Sequence, residues 1–168
     1  IVHRVQAPAG LDREALLRLL AEHPVHAEVD AARRQAIARA HTATHLLHAA
    51  LRRSVGEDCT QAGSWVGPDR FRFDFNHFQA LSADEIDAIE EQVTRWILAN
   101  LPVKSETLSL QEALERGAMA LFGEKYGEEV RTISVGDISL ELCGGTHLSD
   151  SGAIGSLLVL SEASVASG

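Results

Sequence analysis

The sequence predicts an α+β fold, an antiparallel sheet packed with a long central helix. Three observations set that class. Residues 29–55 form an alanine-rich stretch without glycine or proline, the composition of one long helix. Capped helical runs and short β-like runs alternate elsewhere, without the regular strand–helix–strand repeat of a parallel sheet. Two apolar runs, 130–135 and 138–142, flank Gly136-Asp137, a two-residue hairpin signal for an antiparallel pair.

The elements follow in order. Leu11, Leu16, Leu17, Leu19 and Leu20 recur around the candidate cap Asp12, giving a short helix that His23-Pro24 ends. The long helix runs from Val29 to Val55 and closes at Gly56. Strands are expected over 60–66 and 70–75; in the second, Phe71, Phe73 and Phe75 alternate with charged residues, the pattern of a half-buried strand. Ser82 and Glu85 form a capping-box signature, and Ile86, Ile89, Val93, Trp96 and Ile97 follow at helical spacing up to Pro102. A strand over 103–109 leads to a second capping box, Ser109 with Glu112, and a short helix. The apolar run from Ile154 to Leu160 reads as a buried strand.

Composition narrows the function classes. With 168 residues, 45% hydrophobic and 23% charged, the chain suits one well-buried core plus a small appendage. No apolar run approaches the roughly 18 residues that a membrane-spanning helix needs, and no secretory leader pattern opens the chain. It begins at Ile1 and its single methionine is Met119, so an excised piece of a longer polypeptide is expected. A net charge of −9 argues against strong unaided nucleic-acid binding, which depends on Lys and Arg neutralising phosphates. The basic pairs Arg33-Arg34, Arg52-Arg53 and Arg70 with Arg72 read as solvated faces, with phosphate contact the minority alternative. Two cysteines, Cys59 and Cys143, make no disulfide framework; a cytoplasmic setting and a ligand role for Cys143 are expected.

The chemistry lies in two motifs about a hundred residues apart, His41-Thr-Ala-Thr-His45 and Cys143-Gly-Gly-Thr-His147. Two imidazoles and a thiolate–imidazole pair are the ligand set that zinc prefers. At about 100° per residue, His45 lies about 40° and His48 about −20° from His41 around the helix, so three histidines share one face. Either His41 with His45 or His45 with His48 would serve as the ligating pair. In the run ending at Cys143, Ile138, Leu140 and Leu142 share one parity while Ser139, Glu141 and Cys143 share the other, so Cys143 leaves the core face. Gly144-Gly145 then allows a tight turn and a close approach to a ligand, returning His147 toward the same point. No Glu follows His41, so the metalloprotease pattern with its built-in base is absent. No nucleophile triad or phosphate-cradling loop is readable, which leaves metal-assisted chemistry on a carbonyl, or a purely structural metal.

These residues carry a resemblance. His41-Thr-Ala-Thr-His45-Leu-Leu-His-Ala-Ala-Leu51, Gly117-Ala-Met-Ala-Leu-Phe-Gly-Glu-Lys-Tyr126 and Glu141-Leu-Cys143-Gly-Gly-Thr-His147 closely resemble the editing domain of bacterial alanyl-tRNA synthetases. Freestanding AlaX-type trans-editing proteins and the threonyl-tRNA synthetase editing domain, also called its second additional domain, are related. The likeness covers residues 29–168 as the editing domain; residues 1–28 look like the tail of a preceding small β-barrel subdomain or a linker. It implies Zn2+ held by His41, His45, Cys143 and His147, with His48 supporting or structural. It also implies a catalytic and substrate-positioning role for Gln61, with Thr44 reading a serine hydroxyl and Gly145 close to substrate. The implied reaction is deacylation of mischarged Ser-tRNA(Ala) and Gly-tRNA(Ala). Implied partners are the acceptor end of tRNA(Ala) and the remainder of the synthetase in cis, with no membrane. The alternatives are a freestanding trans-editing deacylase and a non-catalytic, zinc-stabilised tRNA-binding module.

Overall fold

The computed structural model describes residues 9–24, 26, 28–120 and 125–163. Residues 1–8 of the expected β-barrel tail, and Leu121–Glu124 of the run ending at Tyr126, lie outside the described residues. The chain divides into two compact units, Ile1–Asp30 and Ala31–Gly168. In the first, helix α1 (Arg13–Glu22) is capped by the Asp12 carboxylate, which accepts the Ala15 amide at 2.8 Å, and none of its residues is buried.

The second unit is α+β, as its sequence pattern predicts. Helix α2 (Ala31–Val55) begins two residues later than expected and ends where Gly56 adopts φ +119°, a left-handed exit that glycine takes without strain. Strands β1 (Gln61–Val66) and β2 (Phe71–Phe75) form an antiparallel hairpin. Helix α3 (Ala83–Leu98) carries the reciprocal capping box of Ser82 and Glu85. Strand β3 (Val103–Ser109), helix α4 (Leu110–Glu115), strand β4 (Glu129–Val135) and strand β5 (Ser139–Leu142) follow, and the sheet order is β3-β4-β5, all antiparallel. At α4 only half of the second expected box forms: Ser109 caps the Glu112 amide, while the Glu112 carboxylate pairs with Arg116 at 2.6 Å.

The core sits where α2 crosses α3. Leu46, Ala50 and Leu51 of α2 meet Ile89, Val93, Trp96 and Ile97 of α3, with Val135 of β4 beneath. Leu142 and Val130 face the other side of the three-stranded sheet and pack with Ala113 and Ala118 in a second cluster. This sheet is therefore covered on both faces. No helix among the described residues is long and apolar enough to cross a membrane.

Three expectations change. The β4–β5 loop has three residues, because Val135 pairs with Ser139 and Ile138 joins the turn, its amide reaching Val135 O at 3.0 Å. Cys143 does leave the Leu140–Leu142 face, but the face it joins is not solvent. In this register Glu141 stands opposite Ile133, on the side that meets α2, and both residues are buried. Finally, Ile154–Leu160 is not a strand. A 3-10 turn spans Ser151–Ile154, Gly155 then takes φ +87°, and the chain continues without a ladder partner. Ile154 and Leu157 are buried while Leu158 and Leu160 are exposed, so the run holds the core through single side chains.

Candidate metal centre

Helix periodicity brings His41 and His45 to one side of α2, and the turn after β5 brings Cys143 and His147 to meet them. One donor atom from each of the four lies within 4.8 Å of all the others. Cys143 Sγ is 3.5 Å from His41 Nε2 and 3.2 Å from His147 Nε2. Ligands about 2.0–2.3 Å from a tetrahedral zinc stand about 3.3–3.8 Å from one another. The two sulfur–nitrogen distances lie near that range, the full cluster is wider, and the donor set fits that ion.

The surroundings keep the three imidazole donors in the protonation state a metal needs. Burial holds His41 down at about 4, with His45 and Arg131 adding to the effect and Glu141 opposing it. Burial, then His45, His41 and Arg131, push His147 down to about 2. Burial also lowers His45, against the pull of Glu141. All three imidazoles are thus neutral near pH 7, as metal ligands must be. Burial raises the Cys143 thiol, only partly offset by the Gly145 amide and Arg131, so a metal must displace its proton.

The other candidate residues gather beside this cluster. His41, Thr44, His45, Gln61, Cys143, Gly144 and Gly145 line one cleft of about 470 Å³, together with Lys125 and Tyr126. Gln61, at the start of β1, donates its amide to Ser64 Oγ at 3.1 Å. Thr44 donates its hydroxyl to His41 O at 2.7 Å. Gly145 packs so closely that a Cβ there would overlap the His41 ring. His48 does not line the cleft; its Nδ1 lies 3.2 Å from Glu141 Oε1 and its ring leans on Phe73.

Three residues that the sequence reading passed over build the frame. Arg131 of β4 donates to the carbonyls of Cys143 and Gly145, and its own carbonyl accepts the Cys143 amide at 3.0 Å. Thr42 Oγ1 accepts the Leu148 amide at 3.1 Å and lies 3.2 Å from His147 Nδ1. Glu141, buried between His45 and His48, is held below its ordinary value. Burial pushes it up, but the His48 hydrogen bond, the two histidines and Ser139 together pull it further down. Its signal was available, since it shares strand parity with Cys143; Arg131 had none, being linked only through tertiary contact.

Residues 130–168, covering β4, β5 and the Cys143–His147 turn, match the model of the threonyl and alanyl tRNA synthetase second additional domain. Over all 168 residues the chain is 48% identical to an alanine--tRNA ligase of Nitratidesulfovibrio vulgaris and 49% identical to one of Thermotoga petrophila. It covers 18% and 19% of those proteins. A third, from Alkaliphilus oremlandii, is 56% identical over 144 residues, 86% of this chain and 16% of that ligase. The chain belongs to the family of alanyl-tRNA synthetase editing-type domains. It spans about a fifth of the length of these relatives. Within this editing-type domain the family model contains the second motif, Cys143 to His147, while the first motif on α2 is covered by the full-length relatives.

Proposed function

We propose that the domain hydrolyses the aminoacyl ester of mischarged Ser-tRNA(Ala) and Gly-tRNA(Ala), with zinc held by His41, His45, Cys143 and His147. The observation that carries this reading is a cluster of four metal donors, three of which, His41, His45 and Cys143, line one open cleft with Gln61 and Thr44. A volume of about 470 Å³ suits a small ligand such as an aminoacyl group with part of its terminal nucleoside. Hydrolytic correction is chemically warranted because a synthetic pocket for alanine separates near-isosteres by only about 1–3 kcal/mol.

When bound, zinc supplies a Lewis acid beside the ester carbonyl. Gln61 has a second amide hydrogen and a carbonyl oxygen with which to orient the ester and an attacking water. Thr44 already donates its proton to His41 O, so its lone pairs are left to accept from a seryl hydroxyl. The Gly144-Gly145 backbone admits the substrate past a side-chain-free wall.

In this reading residues 29–168 are the editing domain and residues 1–28 the end of a preceding segment. The remainder of the synthetase lies in cis in the cytoplasm and supplies the affinity for the tRNA acceptor end that a −9 chain lacks. The test is deacylation of Ser-, Gly- and Ala-tRNA(Ala) by the zinc-loaded domain and by Cys143→Ala. Selective hydrolysis of the first two, lost in the variant, is expected; full activity in Cys143→Ala overturns the assignment. A second reading, a zinc clamp without hydrolysis, draws support from the count of donors, since four protein ligands are the usual structural pattern. It predicts a parent synthetase whose proofreading survives Gln61→Ala.

A further inference from the structure

We propose that Glu141, steadied by His48, and Thr42 are positioning residues that fix His45 and His147 as metal ligands through Nε2. The inference rests on the zinc reading above and concerns three residues outside its ligand set.

Glu141 is 8% exposed and stands between two histidines that are 3% and 5% exposed. Its Oε1 takes the Ser139 hydroxyl at 3.1 Å and meets His48 Nδ1 at 3.2 Å. Its Oε2 lies 3.7 Å from His45 Nδ1, a buried atom that has no hydrogen-bond partner. An ionised carboxylate only accepts, so the His48 Nδ1 within hydrogen-bond distance carries the proton, and a proton on the nearby His45 Nδ1 is the arrangement such a carboxylate favours. In this proposal His45 carries its proton on the Nδ1 that faces Glu141, which leaves its one lone pair on Nε2. The gap of 3.7 Å is long for a hydrogen bond, and it is expected to shorten when a ligand draws on that lone pair.

His147 is treated in the same way by a different group. The Leu148 amide occupies one lone pair of Thr42 Oγ1, and the hydroxyl stands 3.2 Å from His147 Nδ1; in this proposal its other lone pair accepts the Nδ1 proton. A proton on Nδ1 leaves Nε2 free, and Nε2 is the atom 3.2 Å from Cys143 Sγ. His41 also turns Nε2 to that sulfur. The three histidines on one face of α2 thereby divide their labour. Two hold the ion, and the third, His48, is the clamp on the carboxylate that aligns one of them.

The test measures zinc affinity by chelator competition in the whole chain, wild type against Glu141→Gln and Thr42→Val. A glutamine has one acceptor oxygen for two imidazoles, and valine has none. Both variants are expected to bind zinc about 10–100-fold more weakly, with Thr42→Ser recovering most of the loss. Circular dichroism of the metal-free proteins checks that the fold persists. Long-range proton–nitrogen NMR spectra of the zinc-loaded wild type read the tautomers without any variant, so they decide the matter even if a substitution unfolds the chain. Nδ1 protonation of both His45 and His147 is expected. Tight zinc binding with His45 protonated on Nε2, or wild-type affinity in Glu141→Gln, overturns the positioning role and leaves the metal reading standing. A wild type that takes up no zinc overturns both.

Discussion

Gly144 and Gly145 look equivalent in sequence, and the structure makes opposite predictions for them. A Cβ on Gly145 meets three atoms of the His41 ring, all inside the roughly 3.5 Å that a methyl carbon needs. A Cβ on Gly144 meets nothing within 4 Å, and neither glycine has the positive φ that would strain an alanine. The cost at Gly145 is therefore steric alone. Small-to-large changes in packed sites cost about 1–3 kcal/mol. His41 can avoid that by swinging out of the cluster, so the penalty falls on the metal-bound state. At about 1.4 kcal/mol per tenfold, Gly145→Ala should weaken zinc binding about 5- to 150-fold, while Gly144→Ala should stay within about twofold of wild type. Chelator competition reads the affinities, and melting in the presence of EDTA should move little for either variant. Equal affinities for the two variants would refute the close-packing argument.

Other perturbations follow from the same geometry. His41 and His147 stay neutral in the fold down to about 4 and about 2, whereas the unfolded chain takes up protons as pH falls below 6.5. The metal-free domain should therefore be steady above 6.5 and lose stability progressively below it, a trend that urea midpoints at about pH 7.5, about pH 6 and about pH 5 would reveal. Gln61→Ala should cut Ser-tRNA(Ala) hydrolysis by an order of magnitude or more and leave zinc affinity unchanged, because the Gln61 amide is bonded to Ser64 and to no metal donor. Ser151 is fully buried, accepts the Leu101 amide at 2.8 Å and donates to Trp96 O at 2.7 Å. Ser151→Ala orphans both backbone groups and should lower stability by about 2–4 kcal/mol in denaturant titration, with no effect on the cleft.

What could be read from the chain is what depends on local chemistry. The long helix, the three capped helices and the alternating Phe71–Phe75 strand all announce themselves through neighbours a few positions away. The shared face of His41 and His45, and the parity that joins Glu141 to Cys143, follow from helical and strand periods. Where a long-range partner decides, the sequence falls silent. The Ile154–Leu160 run has strand-like composition, yet a strand exists only if a neighbour completes its ladder, and here the Val159 amide goes to the Glu90 side chain. The Glu112 carboxylate is captured by Arg116 from within the helix, so half of a capping box is lost to a competing charge. Nothing near Arg131 or Thr42 signals their tasks, because their partners lie 12 to 106 residues away.

Those silent residues tie down the turn that carries two of the donors. The Cys143–His147 turn is tied down at its start by two-way bonding between Arg131 and Cys143. It is tied at its end by the Leu148 amide on Thr42 and by the Leu148 side chain, which is buried in the main core. Ser149 O then accepts the Val103 amide at 2.8 Å, joining the segment to β3. None of these contacts involves a metal donor. The ordering of a loop is an entropic cost of roughly 1–2 kcal/mol per residue, and these packing contacts and hydrogen bonds offset it without calling on a metal donor atom. A turn held this way would bind an ion without spending affinity on its own assembly, and would be expected to keep the cleft wall at Gly145 in place when the ion is removed. The loss of the metal should therefore remove chemistry from this cleft long before it removes the cleft.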